Sequence, residues 1–181
     1  MEIVKGRPLN VKERLKKEVR VYDLLDELNI EYWRIDHEVA QTMEDCEEVD
    51  RILDAVICKN LFLCIVRKQN FNSSHDAGRI RRLRTKEIVC TDPECTPVFC
   101  SGGIYGEILD ITPGSVSVMG LMNDTENQVQ LLVDADVLEG EYLGCHPCIN
   151  TSSLKLWTRD VFTTYLNAVH HDYIVVHLEN R

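Results

Sequence analysis

No stretch of this 181-residue chain is apolar for anything near the roughly 20 residues that a membrane-spanning helix requires. A helical membrane protein is therefore not expected. The first twenty residues, MEIVKGRPLNVKERLKKEVR, have no apolar core and no small-residue cleavage site, so they do not read as a secretory signal. A cytoplasmic, reducing setting follows, in which the eight cysteines read as thiols rather than disulfides. The glycines form no dinucleotide-binding fingerprint, and strands and helices do not alternate as regular βαβ units. That argues against a doubly wound nucleotide-binding fold.

What remains is ordinary in bulk and uneven in detail. At 44% hydrophobic and 28% charged residues, the composition is that of one soluble domain, long enough to bury its own core. The net charge of −10 disfavours a general nucleic-acid binder. Residues 1–20, however, hold seven basic and three acidic side chains, and residues 67–86 hold seven basic and one acidic. The first reading of such clusters is a solvated face, with a binding surface as the alternative.

Hydrophobic spacing predicts a helix over 10–29, with Val11, Leu15, Val19, Leu24, Leu25 and Leu28 in helical register and Asn29 as its stop. A strand is expected over 30–37, where Ile30, Tyr32 and Ile35 alternate. A helix over 42–53 opens with Thr42 and acidic residues in its first turn. Residues 55–66 have the β-branched and aromatic composition of a buried strand. Turn chemistry brackets 113–124, a strand resumes over 128–138, and 144–158 reads as loop then strand. A helix over 158–169 and a strand over 172–178 close the chain. The class is α+β, in a single domain spanning 1–181.

The stretch Gly144-Cys145-His146-Pro147-Cys148-Ile149-Asn150-Thr151 poses the functional question. A redox pair of the thioredoxin kind opens a helix whose N-terminus lowers the first thiol's pKa. Here the pair precedes INTSSLKL, a strand pattern. A structural zinc site needs four ligands in closed geometry, and the gaps between Cys90, Cys95 and Cys100 fit no common zinc-knuckle spacing. No metal and no cofactor are expected. The histidine and its loop are left.

Four blocks carry a resemblance: VYDLLDELNIEYWRIDH, CKNLFLC, LDITPGSVSVMGLMND and GCHPCINTSSLKL. Over about residues 1–68 and 108–179 the chain resembles the freestanding prolyl-tRNA editing proteins, aminoacyl-tRNA deacylases of the YbaK/ProRS-associated type. The resemblance implies a compact α+β domain with a curved mixed β-sheet flanked by helices. It also implies trans-editing hydrolysis of mischarged tRNA, with alanine on proline tRNA as the nearest substrate match. The implied partners are the acceptor 3′ end of that tRNA and prolyl-tRNA synthetase.

An aminoacyl ester is already activated, so hydrolysis needs no covalent nucleophile. It needs a held substrate, an oriented water and a stabilised oxyanion. By resemblance, Lys59 holds the 3′ end through phosphate or ribose oxygens; the competing reading is a strand-end lysine with its head in water. Asn60 is either a pocket hydrogen bond or a turn filler. Gly114 and Ser115 would offer backbone N–H donors near the substrate carbonyl, with Ser115 placing water, or else form an ordinary Pro-Gly turn. His146 matches the histidine implicated in amino-acid selection, where a neutral imidazole makes one hydrogen bond to the α-amino group or carbonyl. His37 matches a position near the pocket. Asn123 and Asp124 either line it or cap a turn, and His170 and His171 read as helix-end histidines. A pocket sized for alanine would exclude proline sterically. Lys12, Arg14, Lys16 and Lys17 are the candidate tRNA-facing surface, with a solvated helix face as the alternative. Rival functions are a non-catalytic tRNA- or synthetase-binding module and a thiol oxidoreductase.

Residues of about 70–108 depart from the family. Codons chosen for FNSSHDAG, KEIVCTDPECTPVF and GGIYGEIL spell the family's missing elements, in order, when read one base later. The expectation is a pair of compensating frameshifts around this segment, and a chain that lacks a central strand pair there.

Overall fold

Among the described residues, strands and helices run as β1 (Ile3–Lys5), α1 (Lys16–Glu27), β2 (Tyr32–Asp36), α2 (Met43–Leu53), β3 (Asn60–Arg67), β4 (Ser74–Arg79), β5 (Cys95–Phe99), α3 (Gly102–Leu109), β6 (Val129–Asp134), α4 (Ala135–Glu139), β7 (Tyr142–Cys145), β8 (Ser152–Trp157) and β9 (Tyr173–Val176), with a further helical stretch between β8 and β9. This computed structural model describes the backbone of residues 1–39, 43–55, 60–67, 74–79, 95–99, 102–111 and 114–177, and the side chains of 1–39, 47–55, 106–111 and 114–177. Among these residues no helix is long and apolar enough to cross a membrane.

The α+β class holds, and the strands divide between two sheets. One is antiparallel in the order β1-β2-β8-β7; the other is mixed, in the order β5-β3-β4-β6-β9. In the mixed sheet β4 and β9 both run parallel to β6. The segment 70–108 therefore contributes β4 and β5, which flank β3 on its two sides. That corrects the expectation of a missing strand pair. Backbone hydrogen bonding is indifferent to side-chain identity, so strand pairing tolerates a segment whose pattern is poor.

Helix α1 ends as its sequence predicts. Asn29 takes φ +54°, its N–H donates to Asp26 O at 3.1 Å, and the Ile30 N–H donates to Leu25 O at 2.9 Å. This is the Schellman arrangement, with asparagine tolerating the left-handed position. The helix starts later than expected. Val11–Glu13 form only a 3-10 turn, and Arg14 is extended (φ −97°, ψ 157°). Its guanidinium reaches Asp36 and Glu18, and that pull ends the first turn before α1 begins.

Strand β6 is likewise shorter than its apolar run, because Asp134 accepts a hydrogen bond from the Asp136 N–H and caps α4. The stretch after β8 is α-helical over Thr158–Asp160 and Leu166–Ala168, with a π-helical insert over Val161–Tyr165.

The antiparallel sheet sorts its side chains by the two-residue strand period. Tyr32, Leu154, Leu156, Leu143 and Cys145 join the main core with Val21, Tyr22 and Leu25 of α1. On the opposite face Ile35 packs with Val49 and Leu53 of α2. Helix α2 thus covers one part of that second face. The histidines lie on the same face, beyond Ile35.

Candidate functional site

Three adjacent strands converge on the site. In the register of β2 and β8, Ile35 faces Ser153 and Asp36 faces Ser152. His37 follows directly, its N–H donating to Thr151 O at 3.0 Å. In the register of β7 and β8, Cys145 faces Leu154, so His146 leaves β7 beside Ser153. The sheet order β2-β8-β7 therefore sets His37, Ser153 and His146 in a row.

The ring centroids of His37 and His146 are 6.3 Å apart. His37 Nε2 lies 2.9 Å from Ser153 Oγ, and the same Oγ lies 3.4 Å from His146 Nδ1. His37 Nδ1 donates to Glu38 O at 2.7 Å, and His146 Nδ1 donates to Ser152 O at 3.0 Å. Burial holds His146 below the ordinary imidazole pKa; the Ser152 carbonyl pulls it upward and the nearby His37 pushes it down again. At neutral pH its ring is uncharged.

The turn at Gly114 approaches the same loop. Gly114 is exposed with φ +86°, and a Cβ built there would lie 3.8 Å from Asn150 Nδ2. The turn residue thus faces the loop that carries His146. Ser115, next to it, is fully buried, so its hydroxyl is part of the interior and is not exposed to place a water as the sequence reading expected.

The other sequence-derived candidates are distributed differently. Lys59 lies outside the described residues, and of Asn60 only the backbone is described, as the first residue of β3 opposite Arg79. Asn123 stands apart from the histidines: its Nδ2 donates to Leu109 O at 2.8 Å, tying the 3-10 turn Val118–Asn123 to the end of α3. Asp124 is buried and accepts from the Gln128 and Val129 N–H groups. It also meets buried His171 at 3.1 Å. This His171–Asp124 pair holds a turn together.

Cys145 and Cys148 are buried thiols outside any disulfide, and burial pushes the Cys148 thiol up to about 12. A thiol that far from ionisation is no redox nucleophile.

The basic N-terminal run is mostly committed to neighbours. Arg14 is bound to Asp36 and Glu18, Lys17 meets Asp110 at 3.5 Å, and Arg7 pairs with Asp23 and Asp26. Of the four residues read as a tRNA-facing surface, Lys12 and Lys16 are exposed, while Arg14 is an internal clasp. Further along the histidine face, Lys155 sits 4.2 Å over the Tyr142 ring and Tyr142 packs against Trp157 at 4.4 Å. Lys155 is held by Asp54 at 3.1 Å and Lys5 is paired with Glu31. The acids offset the cations of that patch.

Sequence reading missed Ser153. Its signal was present in INTSSLKL: a hydroxyl residue alternating with Leu154 and Leu156 faces away from the apolar core.

Comparison with known proteins identifies the family. The model of the aminoacyl-tRNA editing domain matches residues 37–164. The prolyl-tRNA editing protein ProX of Acetoanaerobium sticklandii is 28% identical over 138 residues, 76% of this chain and 83% of that one. Prolyl-tRNA synthetase associated domain-containing protein 1 of Danio rerio is 26% identical over 171 residues, 90% of this chain and 86% of that one. A solved structure of a candidate trans-editing enzyme for prolyl tRNA synthetase superposes with a TM-score of 0.64 at 11% identity, covering 92% of this chain and 100% of that one; at that identity the likeness is one of fold. With the family model spanning both histidines and the Gly114 turn, the chain belongs to the aminoacyl-tRNA editing domain family and is of the deacylase class.

Proposed function

We propose that this chain hydrolyses the ester of mischarged proline tRNA in trans, with alanine as the amino acid removed. It clears errors left by prolyl-tRNA synthetase. The observation that carries the reading is the meeting of His37 and His146, with centroids 6.3 Å apart, beside the loop that carries His146 and whose Asn150 faces Gly114.

In this reading the ester is attacked by water, and the protein supplies position and electrostatics. The backbone N–H groups at Gly114 and Ser115 face the carbonyl oxygen as it becomes an oxyanion. Neutral His146 accepts a hydrogen bond from the α-ammonium of the amino acid, which an imidazolium would repel. His37 completes the polar wall, Lys59 and Asn60 hold the 3′ adenosine end, and Lys12 and Lys16 meet acceptor-stem phosphates. Asn123, committed to Leu109 O, supports the turn from behind. Alanine enters where proline, larger by two ring carbons, does not.

Hydrolysis of Ala-tRNA(Pro) by the purified chain, with Lys59→Ala as the comparison, tests the reading. Binding of tRNA without turnover in both proteins would instead mark a non-catalytic module of the same fold.

A further inference from the structure

The row His37–Ser153–His146 has a definite hydrogen-bond direction. Carbonyl oxygens only accept, so Glu38 O fixes a proton on His37 Nδ1 and Ser152 O fixes one on His146 Nδ1. In a neutral imidazole the other nitrogen is then an acceptor. His37 Nε2 therefore takes the hydroxyl proton of Ser153 across 2.9 Å. With its single proton committed, Ser153 Oγ offers lone pairs toward His146 Nδ1–H at 3.4 Å, a second and weaker acceptor for a proton shared with Ser152 O. Ser153 is fully buried, so water does not compete for the hydroxyl.

We propose that Ser153 is a positioning residue for deacylation: together with the Glu38 and Ser152 carbonyls, its hydroxyl holds His37 and His146 as Nδ1–H tautomers in fixed ring planes and so presents His146 Nε2 as the acceptor for the substrate's α-ammonium. This rests on the deacylase reading above and adds to it the group that joins the two rings. The coupling runs across three strands. A hydroxyl at 153 on the middle strand β8 reaches a histidine on each neighbour, and a methyl group there reaches neither by hydrogen bonding. Without it, His37 Nε2 loses its donor, and only Glu38 O still holds the ring and its tautomer. His146 keeps one carbonyl partner but loses the second contact that fixes its ring plane.

The experiment uses the full chain without substrate first. Two-bond ¹H–¹⁵N correlation spectra of the imidazoles report the protonated nitrogen of each ring. Wild type is expected to show Nδ1–H at both His37 and His146. Ser153→Ala is expected to shift the His37 pattern toward mixed tautomers, and Ser153→Thr, which keeps the hydroxyl, to restore it. Deacylation of Ala-tRNA(Pro) is then read as separate constants: Ser153→Ala should lower kcat about tenfold while leaving KM for the tRNA within about twofold. An Nε2–H tautomer at either ring in wild type overturns the proposal, even if the alanine variant fails to fold. So does an alanine variant with unchanged kcat. A wild-type chain that shows both expected tautomers yet hydrolyses no mischarged tRNA overturns the catalytic use of the network through failure of the deacylase reading, with the hydrogen-bond assignment intact.

Discussion

Arg14 grips Asp36 with both arms of its guanidinium, Nη1 to Oδ1 at 2.9 Å and Nη2 to Oδ2 at 2.5 Å, and so joins the lead-in to α1 to the last residue of β2. Asp36 is the neighbour of His37, and the clasp fixes where that histidine leaves the sheet. Buried Glu18 takes the same guanidinium at 2.5 Å, and Arg34 is a second partner of Asp36.

From this follows a pH-dependent loss of stability. Burial works to raise the Asp36 pKa, but the bonds from Arg14 and Arg34 outweigh it and hold the carboxyl at about 2, below its ordinary 3.8. A depressed folded-state value means stability that is present above pH 3.8 and is lost as pH falls toward about 2. The Asp36 side chain is 43% exposed, so solvent screening keeps Asp36→Asn to a cost of about 1 kcal/mol at neutral pH. Urea denaturation at pH 7, 3 and 2 checks this: the gap between the wild-type and variant midpoints should narrow at pH 3 and largely close toward pH 2.

His146 gives a kinetic prediction of known sign. Its pKa lies below the ordinary 6.5, so the neutral ring persists into mildly acidic solution. The acid limb of kcat/KM for deacylation should fall below pH 6.5. The stability contribution runs the same way: the folded chain binds fewer protons than the unfolded one, so stability is lost as pH drops below 6.5 toward the lowered value. An acid limb at or above 6.5 would contradict the assignment of a neutral working form.

Gly114→Ala separates backbone from space. Among the described residues a Cβ would meet only Asn150 Nδ2, at 3.8 Å, with no clash. The φ of +86° is the obstacle, costing roughly 1 kcal/mol or more for a non-glycine residue. Relaxation of that strain turns the N–H groups of 114 and 115 away from the substrate. The expected result is a drop in kcat on the order of 10²-fold, with a melting temperature lowered by only a few degrees.

The sequence reading sets residues of about 70–108 apart from the family pattern, while the match to the family model runs through them, over residues 37–164. The shifted-frame reading predicts that resequencing of codons 60–115 recovers an alternative frame spelling the family's elements. A frame confirmed as written would make β4 and β5 native in their present sequence and remove the frameshift reading.

Much of this fold was legible locally. The Asn29 stop, the alternation in β2 and β8 and the apolar run of β6 each follow from neighbours in sequence, and their boundaries moved only where a side chain intervened. Arg14 shows the limit. In a basic run it reads as surface, and only the folded position of Asp36, 22 residues later, makes it a clasp. The site shows the same limit. His37 and His146 were both legible as candidates through motif resemblance, but their meeting requires β8 to lie between β2 and β7, a long-range pairing that no local pattern encodes. Ser153 was hidden for the same reason.

The most direct test of the central claim is the hydrolysis of Ala-tRNA(Pro) and Pro-tRNA(Pro) by wild type and by Lys59→Ala, measured side by side. The account predicts that wild type clears the alanyl ester and spares the prolyl ester, and that Lys59→Ala loses on the order of 10²-fold or more in the alanyl rate. Equal alanyl rates for the two proteins, or equal rates on the two tRNAs, would contradict it.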